Sequence, residues 1–222
     1  MKYLSFDYET IPQPEEDLTA AQIKHWEKKK VALGTPGVTD TMIRSTDPFL
    51  GRILCAGMKY KDDTGDELVE EELAIFEGTE KDILIRFWEV ISSVSRGTKI
   101  ITFNGFNFDI PWSRIRSLAN NITIPHLNIN FFDVGTFSKY CPHVDIMVAI
   151  KGDKFIKNVS VGLDLACTTF GIPTPKDGID GSQVYKFYLE GQLPKIADYV
   201  KRDASSTGLL YEKLINLGYI QE

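Results

Sequence analysis

The first ten residues, MKYLSFDYET, alternate with the two-residue period of a β-strand. Leu4, Phe6 and Tyr8 fall on one side; Ser5, Asp7 and Glu9 fall on the other. Side chains two apart on a strand share a face, so Asp7 and Glu9 project together, with Cα atoms about 7 Å apart. The apolar side demands a core to cover it, and a first strand this apolar suits the centre of a sheet. Two readings of the carboxylates stand side by side. They are the solvated face of an edge strand, or the first part of a site built from acid groups.

Two further motifs carry acidic residues. In FNGFNFD, Asn104-Gly105 makes a strand-to-helix turn and Asp109 stands near the helix start, where a carboxylate is favourable. The same corner could aim Asp109 at the strand-1 carboxylates. In YVKRD, Tyr199 and Asp203 are four apart, so on a helix the hydroxyl lies beside the carboxylate. Read singly, this is a solvated Asp next to a half-buried Tyr. Read together, the motifs concentrate four carboxylates in one cleft. Like charges so close take up protons unless a cation neutralises them. Oxygen ligands of this kind suit Mg²⁺ or Mn²⁺. The hypothesis is a two-metal phosphodiester-cleaving site.

The chain of 222 residues reads as one domain, 1–222, with an insertion at about 11–50. No apolar run approaches the roughly 20 residues that span a bilayer. The N-terminus reads directly as a strand with no signal peptide, so a cytoplasmic protein is expected. Cys55, Cys141 and Cys167 are far apart with no CxxC spacing, which argues against a disulfide framework or a zinc site. His143, two residues before Asp145, reads as an incidental position. A net charge of −6 argues against a protein that simply coats nucleic acid. It leaves room for an enzyme that meets phosphate through bound metal.

Along the chain, LTAAQIKHWEKKK reads as a helix inside the insertion, which could flank an active-site cleft. GRILCAGMKYK and ELVEEELAIF read as a hairpin around DDTGD. EKDILIRFWEVISSV is a helix with Gly97 beyond its end, TKIITFN a buried strand, and DIPWSRIRSLANN a helix with Pro111 in its first turn. NINFFDVGTFS contains a short strand. KGDKFIKN is a basic loop, whose Lys151, Lys154 and Lys157 meet phosphates or form a solvated charge run. SVGLDLACTTFGI is a helix closed by Gly171, SQVYKFYLEG a short helix, and LPKIADYVKRDASSTGLLYEKLINLG a long amphipathic one. Strands first, then helices interleaved with strands, predict an α/β fold: a mixed sheet with helices on its faces.

This order of motifs resembles the DEDD superfamily of 3′–5′ exonucleases, the DnaQ-like branch of the ribonuclease H fold. The Tyr four residues before the last Asp resembles the DEDDy subgroup, which includes the proofreading domain of family B DNA polymerases. FDYET, NGFNFD and YVKRD match its three motifs. HVDIM through GLDLACTTFGIPTPKDGIDGSQV is similar to stand-alone predicted exonucleases of that kind. The resemblance implies about five strands, the first three antiparallel. It implies that Asp7, Glu9, Asp109 and Asp203 hold two divalent ions, Mg²⁺ or Mn²⁺, and that Tyr199 positions the attacking water. It implies that backbone around Tyr8 and Thr10, with Asn104, Phe106 and Asn107, holds the 3′-terminal nucleotides of single-stranded DNA, with RNA as the alternative substrate. A catalytically inactive nucleic-acid-binding protein is the alternative from another class; its usual mark, a lost carboxylate, is absent. With no polymerase domain after the third motif, a polymerase or other replication or repair partner is expected in trans.

Overall fold

The computed structural model describes residues 1–34, 36–94, 97–125, 143–152, 161–175 and 179–221. Its centre is a five-stranded mixed sheet in the order β3-β2-β1-β4-β5. The strands are β1 (Lys2–Pro12), β2 (Gly51–Asp62), β3 (Val69–Ile75), β4 (Lys99–Thr102) and β5 (His143–Asp145). β1 pairs antiparallel with β2, and β2 antiparallel with β3. On the other side β4 runs parallel to β1, and β5 parallel to β4. The helices are α1 (Ala20–Leu33), α2 (Asp40–Ser45), α3 (Glu80–Ser93), α4 (Asp109–Ala119), α5 (Ile146–Lys151), α6 (Leu163–Phe170), α7 (Val184–Leu189) and α8 (Leu193–Asn216). Sheet and flanking helices form a ribonuclease H-like fold.

The alternation in β1 becomes two cores, one on each side of the sheet. Leu4, Phe6 and Tyr8 pack against Leu84 and Phe87 of α3. The Phe6 and Phe87 rings meet edge to face at 5.1 Å. On the other face Tyr3 packs with Leu210, Tyr211 and Leu214 of α8, and Ile11 packs with Tyr199 and Val200. β1 is thus the middle strand, and its second face is covered by a helix rather than by water.

Helix α8 approaches the sheet closely because glycines leave it room. A Cβ on Gly57 would stand 2.2 Å from the Val200 carbonyl oxygen. One on Gly208 would stand 2.8 Å from the Tyr3 ring. Gly57 pairs with Asp7 across the β1–β2 ladder, so the helix crosses the sheet beside that carboxylate.

The β1–β2 register shifts between Glu9 and Thr10: Glu9 faces Cys55 and Thr10 faces Ile53, leaving Leu54 as an extra residue. The Ile53 N–H donates to Glu80 Oε1 at 2.8 Å. Glu80 is also held by the Arg116 fork, through Nε at 2.8 Å and Nη2 at 2.6 Å. A buried ion pair between α3 and α4 therefore anchors the irregularity next to Glu9.

Several elements differ from the sequence reading. β5 and α5 arise from CPHVDIM and the residues after it, where three strand residues are too few to show a period. α2 arises within the insertion, capped by the Thr39 side chain on the Met42 N–H. Lys151 ends α5 rather than opening a loop. The strand expected in NINFFDVGTFS, together with Cys141, Lys154 and Lys157, lies outside the described residues. Among the described residues no helix is long and apolar enough to cross a membrane. Cys55 and Cys167 are buried free thiols.

Because the Gly57 contact is with helix backbone, it cannot be relieved by turning a side chain. Gly57→Ala is expected to lower stability by about 1–3 kcal/mol, read as a lower urea midpoint at unchanged slope.

Candidate active site

The site forms where α8 crosses β1. Ser5, on the same strand face as Asp7 and Glu9, donates its hydroxyl to the Ala204 carbonyl at 2.7 Å. That bond ties β1 to α8 at the residue after Asp203. Tyr199 and Asp203 are both on the buried side of the helix, one turn apart. Carboxylate oxygens of Asp7, Glu9 and Asp203 lie within 4.8 Å of one another. Among the described residues this is the one acidic, histidine or cysteine group with metal-ligand spacing.

Asp109 approaches from the β4–α4 corner, outside the group within 4.8 Å but near enough for its charge to act on Asp7 and Glu9. It is the first residue of α4 and only 1% exposed. Neither of its carboxyl oxygens has a hydrogen-bond partner of good geometry. The N–H groups of Tyr8 and of Asp109 itself face it closely enough to offset part of its burial. Burial pushes the Asp109 carboxyl up to about 8, with nearby Asp145 adding to the rise. Burial also lifts Asp7 well above the ordinary carboxylate range, and Asp109, Asp203 and Glu9 push it further the same way. Glu9 is raised by burial, then by Asp203 and Asp109. Tyr199 is raised by burial, then by the charges of Asp203, Glu9 and Asp7 and by its hydrogen bond to Asp203. Its phenol is therefore a neutral O–H.

This donor set fits a hard divalent cation. It is all oxygen and all anionic, it converges, and Asp109 keeps two buried oxygens without good partners. A bound cation would reverse the electrostatic strain that raises these carboxyls.

A supporting residue stands behind the corner. Asp145, 3% exposed, accepts from the Asn104 N–H and the Phe106 N–H, both at 3.0 Å, and caps α5 through the Val148 N–H. It holds the turn at Asn104, whose φ of 67° is left-handed. An Asp before an apolar run is a readable helix cap. Its grip on a turn some forty residues earlier is not readable from that pattern.

The remaining candidates are placed as follows. Asn107 donates its side-chain amide to Asn104 Oδ1 at 2.9 Å and is exposed. Phe106 is half-buried, its ring edge-on to His143 at 4.7 Å. His143 lies outside the carboxylate group; its Nε2 shares a hydrogen bond with Thr102 Oγ1 at 2.8 Å, and burial pushes its pKa down to about 4. The Tyr8 ring points away from the site, into the α3-side core, where its hydroxyl meets Ser113 Oγ at 3.0 Å. Only the Tyr8 backbone faces the site. The Thr10 hydroxyl donates to the Ser45 carbonyl of α2.

A ribonuclease H-like sheet with acid groups on its middle strand, on a strand-to-helix corner and on its last helix defines an α/β domain with an acidic centre suited to divalent cations. Residues 52–218 match the family described as predicted 3′–5′ exonucleases related to the exonuclease domain of PolB, and the chain belongs to that family. The matched stretch holds Asp109, Tyr199 and Asp203; β1, with Asp7 and Glu9, precedes it. An uncharacterized protein of Methanocaldococcus jannaschii is 28% identical over 194 residues, covering 83% of this chain and 98% of that protein. The catalytic subunit of DNA polymerase epsilon from Debaryomyces hansenii is 30% identical over 172 residues, 69% of this chain and 8% of the polymerase. That of Kluyveromyces lactis is 29% identical over 179 residues, again 8% of the polymerase.

The raised carboxyls set the pH dependence of the metal-free protein. A group raised from 3.8 in the unfolded chain to about 8 in the folded one binds its proton more tightly when folded. Its stabilisation is complete below the unfolded value and is lost as pH rises through the folded value. In EDTA, Tm is therefore expected to fall between about pH 4 and 8. Mn²⁺ should restore it most at the alkaline end, and Asp109→Asn should flatten the EDTA profile. Differential scanning fluorimetry across pH reads all three. A metal-free Tm that rises over this window would contradict the assigned strain.

Proposed function

We propose that this protein is a metal-dependent 3′–5′ exonuclease of the DEDDy type, releasing nucleoside monophosphates from single-stranded DNA ends. The observation that carries the reading is the convergence of Asp7, Glu9 and Asp203 within 4.8 Å, with Asp109 and Tyr199 close enough to perturb or be perturbed by them. Asp7, Glu9, Asp109 and Asp203 would hold two divalent ions, Mg²⁺ or Mn²⁺. When bound, such ions supply Lewis acidity toward the attacking water and offset charge on the departing 3′ oxygen.

The chain's own groups do the positioning. The neutral Tyr199 O–H is a poor base, so its part is to hold and orient the water through hydrogen bonding. Water oxygen bonds to phosphorus and gives up a proton to solvent, the bond from phosphorus to the 3′ oxygen breaks, and that oxygen takes up a proton from solvent. The mononucleotide leaves with a 5′ phosphate. Asn104, Phe106 and Asn107, on the turn that Asp145 pins, would meet the terminal nucleotides, with backbone of Tyr8 and Thr10 on the opposite side. A base stacks on an aromatic ring whatever its identity, which suits Phe106 to non-specific degradation. The likeness to part of polymerase subunits supports a DNA polymerase as a partner.

The test is a 5′-labelled single-stranded DNA and a matched RNA incubated with protein in Mn²⁺ or Mg²⁺. A 3′-shortening ladder on DNA is expected, abolished by EDTA and by Asp7→Ala or Asp203→Ala. Full activity in a clean Asp203→Ala preparation would sink the mechanism, and a ladder on RNA alone would move the substrate to RNA. Tyr199→Phe should lower kcat on the order of 10²-fold or more.

A further inference from the structure

A groove of about 680 Å³ lies at the end of β1 that follows Glu9. One wall is α2, from the segment between β1 and β2, through Thr41, Met42 and Ser45. The other wall is the turn at Gly181–Gln183 and helix α7, through Ser182, Tyr185 and Leu189. Thr10 lines it as well, one residue beyond Glu9. The α7 wall is continuous with the site, since Val184 packs in the same apolar cluster as Ile11 and Tyr199. The groove is therefore linked to the acidic centre through Thr10, next to Glu9 in β1, and through the apolar cluster that joins α7 to Tyr199.

Its walls are held in place. Thr10 hydrogen-bonds the Ser45 carbonyl, and Arg44 pairs with Glu15 at 2.8 Å while its guanidinium lies 4.7 Å over the Trp26 ring. On the far wall the Tyr185 ring is nearly parallel to the Tyr188 ring, 16° apart in plane, with centroids 6.2 Å apart. Tyr188 is itself braced by Arg52, whose Nη2 donates to its hydroxyl at 2.9 Å. Tyr185 is half-buried, so the ring is both supported and reachable.

The lining selects the chemistry of the occupant. The Thr41 hydroxyl can donate and accept, while those of Thr10 and Ser182, which donate to the Ser45 carbonyl and to Asp180, offer acceptor oxygens. Tyr185 offers an aromatic face, and Met42 and Leu189 offer exposed apolar surface. Among the described residues that line the groove the one cation is Lys186, and it lies 3.9 Å from Glu190, which lines the groove too. The groove thus lacks the net positive charge that a phosphate site uses. A flat heteroaromatic ring with polar edges fits all of these features. The volume is within the roughly 300–1,000 Å³ of small-molecule sites.

We propose that this groove is a nucleobase subsite, in which a base of the substrate strand other than the one at the acidic centre stacks on Tyr185. The inference rests on the nucleic-acid substrate proposed above. It gives the α2 segment a purpose, since α2 completes the far side of a base-binding slot. Bases stack on aromatic rings with little regard to sequence, so such a subsite would add affinity for strands long enough to reach it.

The test uses oligodeoxythymidines carrying a single 5-iodouracil at successive positions, bound in Ca²⁺ and photo-crosslinked, with crosslinked peptides mapped by mass spectrometry. A matched uridine series distinguishes RNA. The expected result is a crosslink within residues 182–190 from one internal position of the strand. Tyr185→Ala should raise Kd by anisotropy, and KM where the strand is cut, roughly 5- to 100-fold. Tyr185→Phe keeps the ring and should stay near wild type, and melting curves establish that both variants fold. Crosslinks confined to other peptides, or a Tyr185→Ala variant with wild-type Kd and KM, would overturn the subsite. The two readings fail separately. Hydrolysis that is indifferent to Tyr185 leaves the exonuclease standing without the subsite. A Tyr185 crosslink without any hydrolysis leaves a base-binding groove and removes the exonuclease.

Discussion

The rest of the molecule depends on how closely helix α8 can approach strands β1 and β2. Two glycines, Gly57 under the Val200 carbonyl and Gly208 over the Tyr3 ring, set that distance. The Ser5 to Ala204 hydrogen bond fixes the helix along its own axis. With depth and register both set, Tyr199 and Asp203 can stand only over Asp7 and Glu9. Side chains larger than hydrogen at Gly57 would lift the helix from the strand that carries the first two acid groups. The packing of the fold and the geometry of the site are the same contact.

That contact brings a cost. It buries several carboxyls together, and burial and mutual repulsion raise Asp7, Glu9 and Asp109 above their ordinary range. Sites that hold charged ligands often keep such strain, relieved when the ligand arrives and compensated elsewhere until then. Here the compensation is visible on either side of the cleft. The Phe6, Tyr8, Phe87 and Trp88 core supports the back of β1. The Glu80–Arg116 pair secures the irregular pairing beside Glu9. Asp145 performs a similar service for the corner of Asp109, committing its carboxylate to backbone N–H groups.

The segment between β1 and β2 belongs to the same design. Its helix α2 is tied to the end of β1 through Thr10 and Ser45, so it faces α7 across a groove at that end of the strand. The segment leaves the sheet at the end of β1, a few residues after Glu9.

Much of this was legible in the chain itself. Strict alternation in KYLSFDYET fixes which side of β1 carries Asp7 and Glu9, because a strand has a period of two. The four-residue spacing of Tyr199 and Asp203 places them on one helical face. Gly171 marks the end of α6, with a φ of 70°. Local chemistry is enough for each of these statements. What only the tertiary structure decided is the meeting of the three motifs and everything that supports it. The acidic face of β1 could equally have faced water; helix α8 covers it, and that choice is made by Gly57 and Gly208, residues with no periodic signature. The grip of Asp145 on Asn104 and Phe106, the short strand β5 and the facing of α2 by Tyr185 likewise join segments tens of residues apart. A sequence records which face a side chain takes on its own element, because that depends on near neighbours. It does not record which faces meet, because that depends on the packing of the whole chain.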